Sequence, residues 1–285
     1  MNQPLGDPPG PQLTSARFLR RLLAEHDIRL SQALGQHFLA DANILSKMVQ
    51  ACTLEGHEPV VEVGAGVGTL TLALAPHAGR LWAVEKDQQL IPILREHVRS
   101  CETVEVVRAD FRHVELAVLG QELVIAGNLP YGITSEVLLK LIRERTAVCR
   151  AVLMVQQEVG QRLVQDPGPH ASRLGVHLSA YYDLQVLRRV PRTAFYPPPE
   201  VNSVLLSLRR LSSSRIQSSP EAFEQVLKAL FGARRKTACN ALSKLASRQL
   251  VTQALTVLGR HPSVRGEALS VEEVDALAQR LLHSD

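Results

Sequence analysis

The sequence predicts an α/β protein: a twisted, mostly parallel sheet with an antiparallel end, followed by a small all-helical C-terminal domain. Three observations predict it. Short β-branched runs alternate with helix-period segments from residue 59 to residue 164, the pattern of crossover units that put helices on both faces of a sheet. Two further apolar runs, 183–190 and 201–211, lie close together in the chain, which suits antiparallel neighbours. Beyond a serine-rich stretch at 211–220 the apolar spacing is helical as far as His283.

Residues 14–27 (TSARFLRRLLAEHD) read as a short amphipathic helix, and 42–52 as a second. PVVEVGAG, 59–66, is a buried strand feeding a tight turn, and 69–77 continues as a helix. A second strand, 80–87, ends in charge and precedes a helix at 88–100; a third spans 104–110. The fourth, 122–130, is broken by Gly-Asn and Pro; a helix follows at 133–144 with Thr134 or Ser135 as its cap. The fifth strand, 151–156, leads into the helical QEVGQRLV. The arrangement is Rossmann-like, and such sheets bind ligands at the carboxyl ends of their strands. The linker LSSSRIQSSP leads into Ser219, Pro220 and Glu221, a helix start. The expected organisation is a flexible tail at 1–13, an α/β domain at 14–213 and a helical domain at 214–285.

The composition of the 285 residues, 45% hydrophobic and 21% charged, is that of a globular protein and argues against disorder. Cys52, Cys101, Cys149 and Cys239 form no CxxC pair and no cluster with histidine. This argues against a structural zinc site and a disulfide framework, and for a reducing compartment. No apolar run approaches the roughly 20 residues of a membrane helix. The N-terminus has no apolar signal-peptide core, so a cytoplasmic location is expected. Charge is unevenly spread. Residues 49–160 hold 10 Lys/Arg against 14 Asp/Glu, whereas 186–248 hold 12 against 3. A basic third beside an acidic middle is either a solvated face or the footprint of a polyanion, usually nucleic acid.

Gly64, Gly66 and Gly68 follow the first strand of the sheet and open a helix. Glycines allow a tight turn and close backbone approach to a ligand. A dinucleotide fingerprint would place its third glycine at 69, where this chain has Thr69. Glu85 ends the next strand, 21 residues after Gly64, where a carboxylate can accept from both hydroxyls of a ribose. A cofactor with ribose but no pyrophosphate fits best, which suggests S-adenosylmethionine. The alternatives are an NAD site, or a packing turn beside a surface glutamate. Asp110, with Phe111 beside it, ends the third strand; it serves either as an acceptor for the cofactor's adenine amine or as a plain helix cap.

Asn128-Leu129-Pro130-Tyr131 ends the fourth strand. An exocyclic adenine amine is a poor nucleophile because its lone pair is delocalised into the ring. The Asn128 side-chain oxygen and the Pro130 carbonyl can hold its two N–H groups, and the Tyr131 ring can stack on an extruded base. Such stacking is worth about 1–3 kcal/mol, comparable to the few kcal/mol of base flipping. A sulfonium leaves as a neutral sulfide, so positioning can replace a strong base. In the proline-rich loop 195–203, Phe195 either stacks on the second face of the base or sits in the core.

These motifs together resemble the small-subunit (16S) ribosomal RNA adenine dimethyltransferases. The resemblance rests on LGQHFLAD, VVEVGAGVGTLTLAL, VEKD, RAD, NLPY, FYPPPEVNS and FGARRKT, and runs from about Leu30 to His283. It implies a methyltransferase using S-adenosylmethionine, with S-adenosylhomocysteine as product. The substrate it implies is a pair of adjacent adenosines in a hairpin near the 3′ end of 16S rRNA, within an immature small subunit, and the enzyme would be a monomer. It implies that Gln36 to Leu39 close over the cofactor. The cofactor set is then Gln36, His37, Leu39, Gly64, Gly66, Glu85, Lys86, Asp110, Phe111 and Asn128. The target-base set is Asn128, Pro130, Tyr131 and Phe195, and no metal is expected. Two departures stand out: His37 replaces the family's usual Asn, and Ala109 its usual Gly. Arg188, Arg189, Arg192, Arg209, Arg210, Arg234, Arg235 and Lys236 are the expected RNA contacts. The rival readings are a catalytically silent RNA- or DNA-binding assembly or transcription factor on the same fold, a 23S rRNA adenine methyltransferase, and a small-molecule or protein methyltransferase.

Overall fold

The structure, a computed structural model, describes residues 12–28, 35–233 and 235–282. The chain divides into two compact units. One takes in the chain up to Gly160 with Gln185–Arg210; the other takes in Gln161–Leu184 with the chain from Leu211 onward.

The first unit opens with helix α1 (Ala16–Glu25), capped by the Ser15 hydroxyl, which buries Leu19, Leu22 and Leu23. Of the expected N-terminal tail, residues 1–11 lie outside the described residues. Leu13 is not part of a tail: it is buried, and its carbonyl accepts from the Thr69 hydroxyl at 3.4 Å. Strand β1 (Phe38–Leu39) precedes helix α2 (Ala42–Cys52), whose first turn is capped by the Asp41 carboxylate accepting from the N–H groups of Asn43 and Ile44. Such a cap is worth about 1 kcal/mol. Helix α2 buries Ile44, Leu45, Met48 and Val49 against the sheet core, at about 1.5–3 kcal/mol for each large side chain.

The sheet strands that follow are β2 (Pro59–Val63), β3 (Arg80–Glu85), β4 (Val104–Arg108), β5 (Leu123–Asn128) and β6 (Val148–Gln156). Between them lie α3 (Thr69–Leu74), α4 (Ile91–Val98), α5 (Leu116–Leu119) and α6 (Thr134–Arg143). Thr134 and Ser135 are not caps but the first helical residues of α6, which is entered through a turn at Tyr131–Ile133. After α7 (Gln157–Leu163) and α8 (Arg173–Ser179) come β7 (Tyr182–Val190), β8 (Phe195–Tyr196) and β9 (Ser203–Arg210). The sheet order is β4-β3-β2-β5-β6-β9-β7. Strands β2 to β6 run parallel, and β9 lies antiparallel to β6. The chain runs outward from β2 through β3 to β4, then returns to β5 on the other side. That reversal opens a crevice at the carboxyl ends of β2 and β5, the place where such sheets bind ligands.

The second unit holds α9 (Pro220–Gly232), α10 (Ala238–Ala241), α11 (Arg248–Val257) and α12 (Val271–Leu282). Ser219 caps α9 with Pro220 in its first turn, as the sequence predicts. Whereas the sequence put a single break near residue 214, this unit also contains α8. The buried His177 ring of α8 packs on Phe223 of α9, with centroids 6.0 Å apart. Among the described residues no helix is long and apolar enough to cross a membrane.

Candidate active site

A cavity of about 850 Å³ lies within the first unit, over the ends of β2, β3 and β5. Its size is that of a ligand pocket. Gly64 and Gly66 line it in the turn after β2, which Gly68 completes; their φ values are 72°, 59° and 91°. At Gly66 the need for glycine is double: a side chain would be strained at that φ, and a Cβ would stand 3.0 Å from the Phe38 ring.

Glu85 closes this turn from β3. Its Oε2 accepts from the Gly66 N–H at 2.8 Å, and its Oε1 from those of Lys86 and Asp87 at 2.8 and 2.7 Å. A carboxylate offers about four acceptor sites, so Oε2 retains one. That is narrower than the expected grip on both hydroxyls of a ribose. Burial pushes the Glu85 carboxyl up, against the three N–H donors that favour its charge. Asp87, which is also buried, accepts from Gln36 Nε2 at 2.7 Å and so pins the segment before β1 across the end of β3.

Asp110 is more fully engaged than the sequence suggests. Oδ1 accepts from the Arg112 main chain and Nε; Oδ2 accepts from Arg112 Nη2 at 2.7 Å and Lys86 Nζ at 2.9 Å. The Arg112 guanidinium, aided by Lys86, holds this carboxyl well below the usual range. Its four acceptor sites are thus all taken, and of the two side chains that hold it Lys86, 55% exposed, is the less confined. Phe111, buried beside Asp110, also lines the cavity.

At the end of β5 the Leu129 N–H is held by the Met154 carbonyl at 3.1 Å, so the Asn128–Tyr131 segment starts from the sheet ladder. Asn128 Nδ2 donates to the His37 main-chain carbonyl at 2.6 Å. A carbonyl only accepts, so this contact sets the amide orientation and leaves Oδ1 as an acceptor. The Pro130 carbonyl accepts from the Ile133 N–H at 3.1 Å and keeps one lone pair. Tyr131 lines the cavity with its hydroxyl 2.9 Å from Ser203 Oγ; burial pushes the phenol up. The His37 ring packs on Tyr131 at 5.7 Å, and its Nδ1 lies 2.8 Å from the Pro197 carbonyl.

The cavity thus brings together Gln36, His37, Leu39, Gly64, Gly66, Glu85, Lys86, Asp110, Phe111, Asn128, Pro130 and Tyr131. Phe195 is the exception. It pairs with Leu39 across β1 and β8 and is buried in the sheet core. A ring enclosed this way cannot stack on a base, so the expectation of a base platform at Phe195 is corrected. The proline loop meets the cavity instead through Pro197, Pro198, Glu200 and Val201.

Sequence reasoning missed Glu62 and Arg112, both in the lining. Glu62 is 1% exposed, its Oε2 has no hydrogen-bond partner, and burial together with the nearby Glu85 pushes its carboxyl up to about 8. The signal was present as an acid inside the apolar run PVVEV, where charge is costly without a purpose. No sequence signal marks Arg112. Apart from Glu62, the lining carries Glu85, Asp87, Asp110 and Glu200 against Lys86 and Arg112, a balance that favours a cationic ligand.

The expected RNA contacts divide between the units. Arg188, Arg189, Arg192 and Arg209 are exposed on the first, Arg235 and Lys236 on the second; Arg234 lies outside the described residues. Arg210 does not fit the expectation. Its guanidinium pairs with Glu122 and donates to the carbonyls of Arg145 and Thr146, which leaves it structurally occupied.

Comparison with known proteins agrees with this geometry. The chain is 36% identical over 288 residues to a "Ribosomal RNA small subunit methyltransferase A" of Pelotomaculum thermopropionicum, covering 95% of this chain and 97% of that protein. It is 33% identical over 275 residues to the protein of the same name from Bacillus mycoides, covering 92% and 94%. The crystal structure of 23S rRNA methyltransferase ErmE matches with a TM-score of 0.71 and 27% identity, over 85% of this chain and 98% of that one. A dimethyladenosine transferase from Plasmodium falciparum shares the fold, with a TM-score of 0.71 and 23% identity over 83% and 94%. The sequence model of the ribosomal RNA adenine dimethylase family matches residues 28–276, and the chain belongs to that family.

Proposed function

We propose that this protein transfers methyl groups from S-adenosylmethionine to N6 of two adjacent adenosines in a hairpin near the 3′ end of 16S rRNA. It would act in the cytoplasm, as a monomer, on an immature small ribosomal subunit. The observation that carries the reading is the Asn128 amide: with Nδ2 spent on the His37 carbonyl, Oδ1 is left as an acceptor beside the Pro130 carbonyl and the Tyr131 ring, in one acidic cavity.

The donor supplies an electrophilic methyl on a positively charged sulfur. The residues present suit such a group. The unpartnered Glu62 oxygen fits a cationic portion, the remaining lone pair of Glu85 fits a hydroxyl, and the glycine turn lets main chain approach closely. Asn128 and Pro130 then hold the two amine N–H groups, which turns the nitrogen lone pair toward the methyl. Tyr131 supports the extruded base, and positioning supplies the rate. The exposed Arg235 and Lys236, with Arg188, Arg189, Arg192 and Arg209, are assigned to RNA phosphates.

The likeness to ErmE favours one competing substrate, 23S rRNA. The test is incubation with labelled donor and either immature small-subunit particles or 23S rRNA, followed by mass spectrometry of the adenines. Dimethyladenosine in 16S rRNA is expected. Label in 23S rRNA alone would replace the substrate, and no label in any RNA would favour a silent assembly factor.

A further inference from the structure

Strand β6 runs further toward the crevice than its neighbour. Asn128, the last residue of β5, stands beside Met154, whereas β6 continues to Gln156. Residues two apart on a strand share a face of the sheet, so Gln156 projects on the same face as Asn128 and the core residue Met154. On the other side of β6, Gln156 is the direct partner of Ser203 in β9. Directly opposed residues of antiparallel strands also share a face, and there the Ser203 hydroxyl lies 2.9 Å from that of Tyr131. Asn128, Gln156 and Ser203 therefore form one polar row above the apolar core, and Gln156, half-buried, lines the cavity. In the strand order β6 adjoins β5, while β3 and β4 lie on the far side of β2. Gln156 thus belongs to the Asn128–Tyr131 end of the cavity and not to the Glu85–Asp110 end. Among the described residues its amide has no hydrogen-bond partner.

We propose that Gln156 reads the target base, donating from its side-chain amide to a ring nitrogen beside the adenine amine. This rests on the proposed adenine chemistry, in which Asn128 Oδ1 and the Pro130 carbonyl, both acceptors, take the two amine N–H groups. The ring nitrogens N1 and N7 to either side of that amine only accept, so the same two groups cannot serve them. The other donors of the row are engaged: Asn128 Nδ2 is held by the His37 carbonyl, and the Tyr131 and Ser203 hydroxyls share one bond. Gln156 brings two uncommitted N–H groups. Such a donor adds discrimination that the amine contacts lack. Aimed at N1 it refuses guanine, which carries a proton there; aimed at N7 it refuses pyrimidines, which have no such nitrogen.

The test is a cycle between the protein and its substrate. Gln156→Met keeps the length of the side chain without a donor; Gln156→Glu keeps its shape and, when ionised, only accepts. Each is compared with the unsubstituted protein on small-subunit particles reconstituted with 16S rRNA whose synthetic 3′ segment carries adenosine, 1-deazaadenosine or 7-deazaadenosine at the target positions. On adenosine, both variants are expected to lose about tenfold in single-turnover rate, the worth of one hydrogen bond. S-adenosylhomocysteine affinity by calorimetry should stay within about twofold. On one of the two deaza substrates the variants should match the unsubstituted protein, because the partner nitrogen is already gone; which substrate does so identifies the nitrogen. Losses that persist in full on both deaza substrates overturn the proposal, as do unchanged rates on adenosine or cofactor affinity falling in step with rate. Should Gln156→Met fail to fold, the nearly isosteric Gln156→Glu decides. No transfer by the unsubstituted protein to any adenosine overturns the functional reading and this inference together, whereas transfer with undiminished losses on both deaza substrates overturns the inference alone.

Discussion

The Asn128 side chain donates to the main-chain carbonyl of His37, 91 residues away in sequence, across 2.6 Å. That bond converts an amide that could face either way into one with its oxygen committed to the cavity. Asn128→Ala is therefore expected to lower kcat by about 100-fold or more, as misplacement of a reacting group does. Cofactor affinity should change only a few-fold. Asn128→Asp should do no better, because a carboxylate would face the His37 carbonyl oxygen. Single-turnover kinetics with calorimetry check both, and equal losses in binding and turnover would remove the acceptor role.

Glu62 makes a pH prediction. Its folded carboxyl titrates at about 8 instead of 4.5 because it is buried. Between those values the folded chain keeps a proton that the unfolded chain has lost, so this group makes stability fall as pH rises from about 4.5 to 8. Glu62→Gln should flatten that fall in denaturant titrations. A cationic ligand favours the ionised form, so its binding should release a proton and strengthen with pH up to about 8. Calorimetry in buffers of differing ionisation enthalpy reads the proton. Equal proton release in the wild type and Glu62→Gln would place the cation elsewhere.

Asp110 shifts in the opposite direction. Its carboxyl lies below the ordinary 3.8, held there by Arg112 and Lys86. Its stabilising contribution is fully present above pH 3.8 and is lost on acidification through the depressed folded value. Asp110→Asn should weaken cofactor binding about tenfold, roughly the 1.4 kcal/mol of one lost hydrogen bond to a charged group. Lys86→Met should bind at least as tightly as wild type, since it clears one acceptor site. Weaker binding by Lys86→Met would assign Lys86 to the cofactor itself.

Replacing Arg234, Arg235 and Lys236 together by Ala should weaken RNA binding and lower its logarithmic salt slope by about one unit per phosphate contact removed. Arg210→Ala should leave that slope unchanged and lower the melting temperature instead, because its guanidinium serves Glu122 and two main-chain carbonyls. Filter binding over a salt series and thermal melts separate the two outcomes.

What the sequence by itself determined is whatever depends on neighbours in the chain. The β-branched runs, the turn glycines at 64, 66 and 68, Glu85 at the end of β3, Asp110 just beyond β4, and the Ser219 cap all express local geometry. Each was legible before any fold was known. Tertiary structure alone decided how those groups are used. Whether a carboxylate has a lone pair left depends on donors such as Arg112 and the Gly66 main chain. Whether Phe195 faces a base or the core depends on its pairing with Leu39. Whether residues 161–184 join the helical unit depends on His177 meeting Phe223. His37 reaches Pro197 across 160 residues. No periodicity encodes such a meeting, because a hydrogen bond or a packed ring is specified by where two distant backbones are carried, and only the completed sheet carries them there.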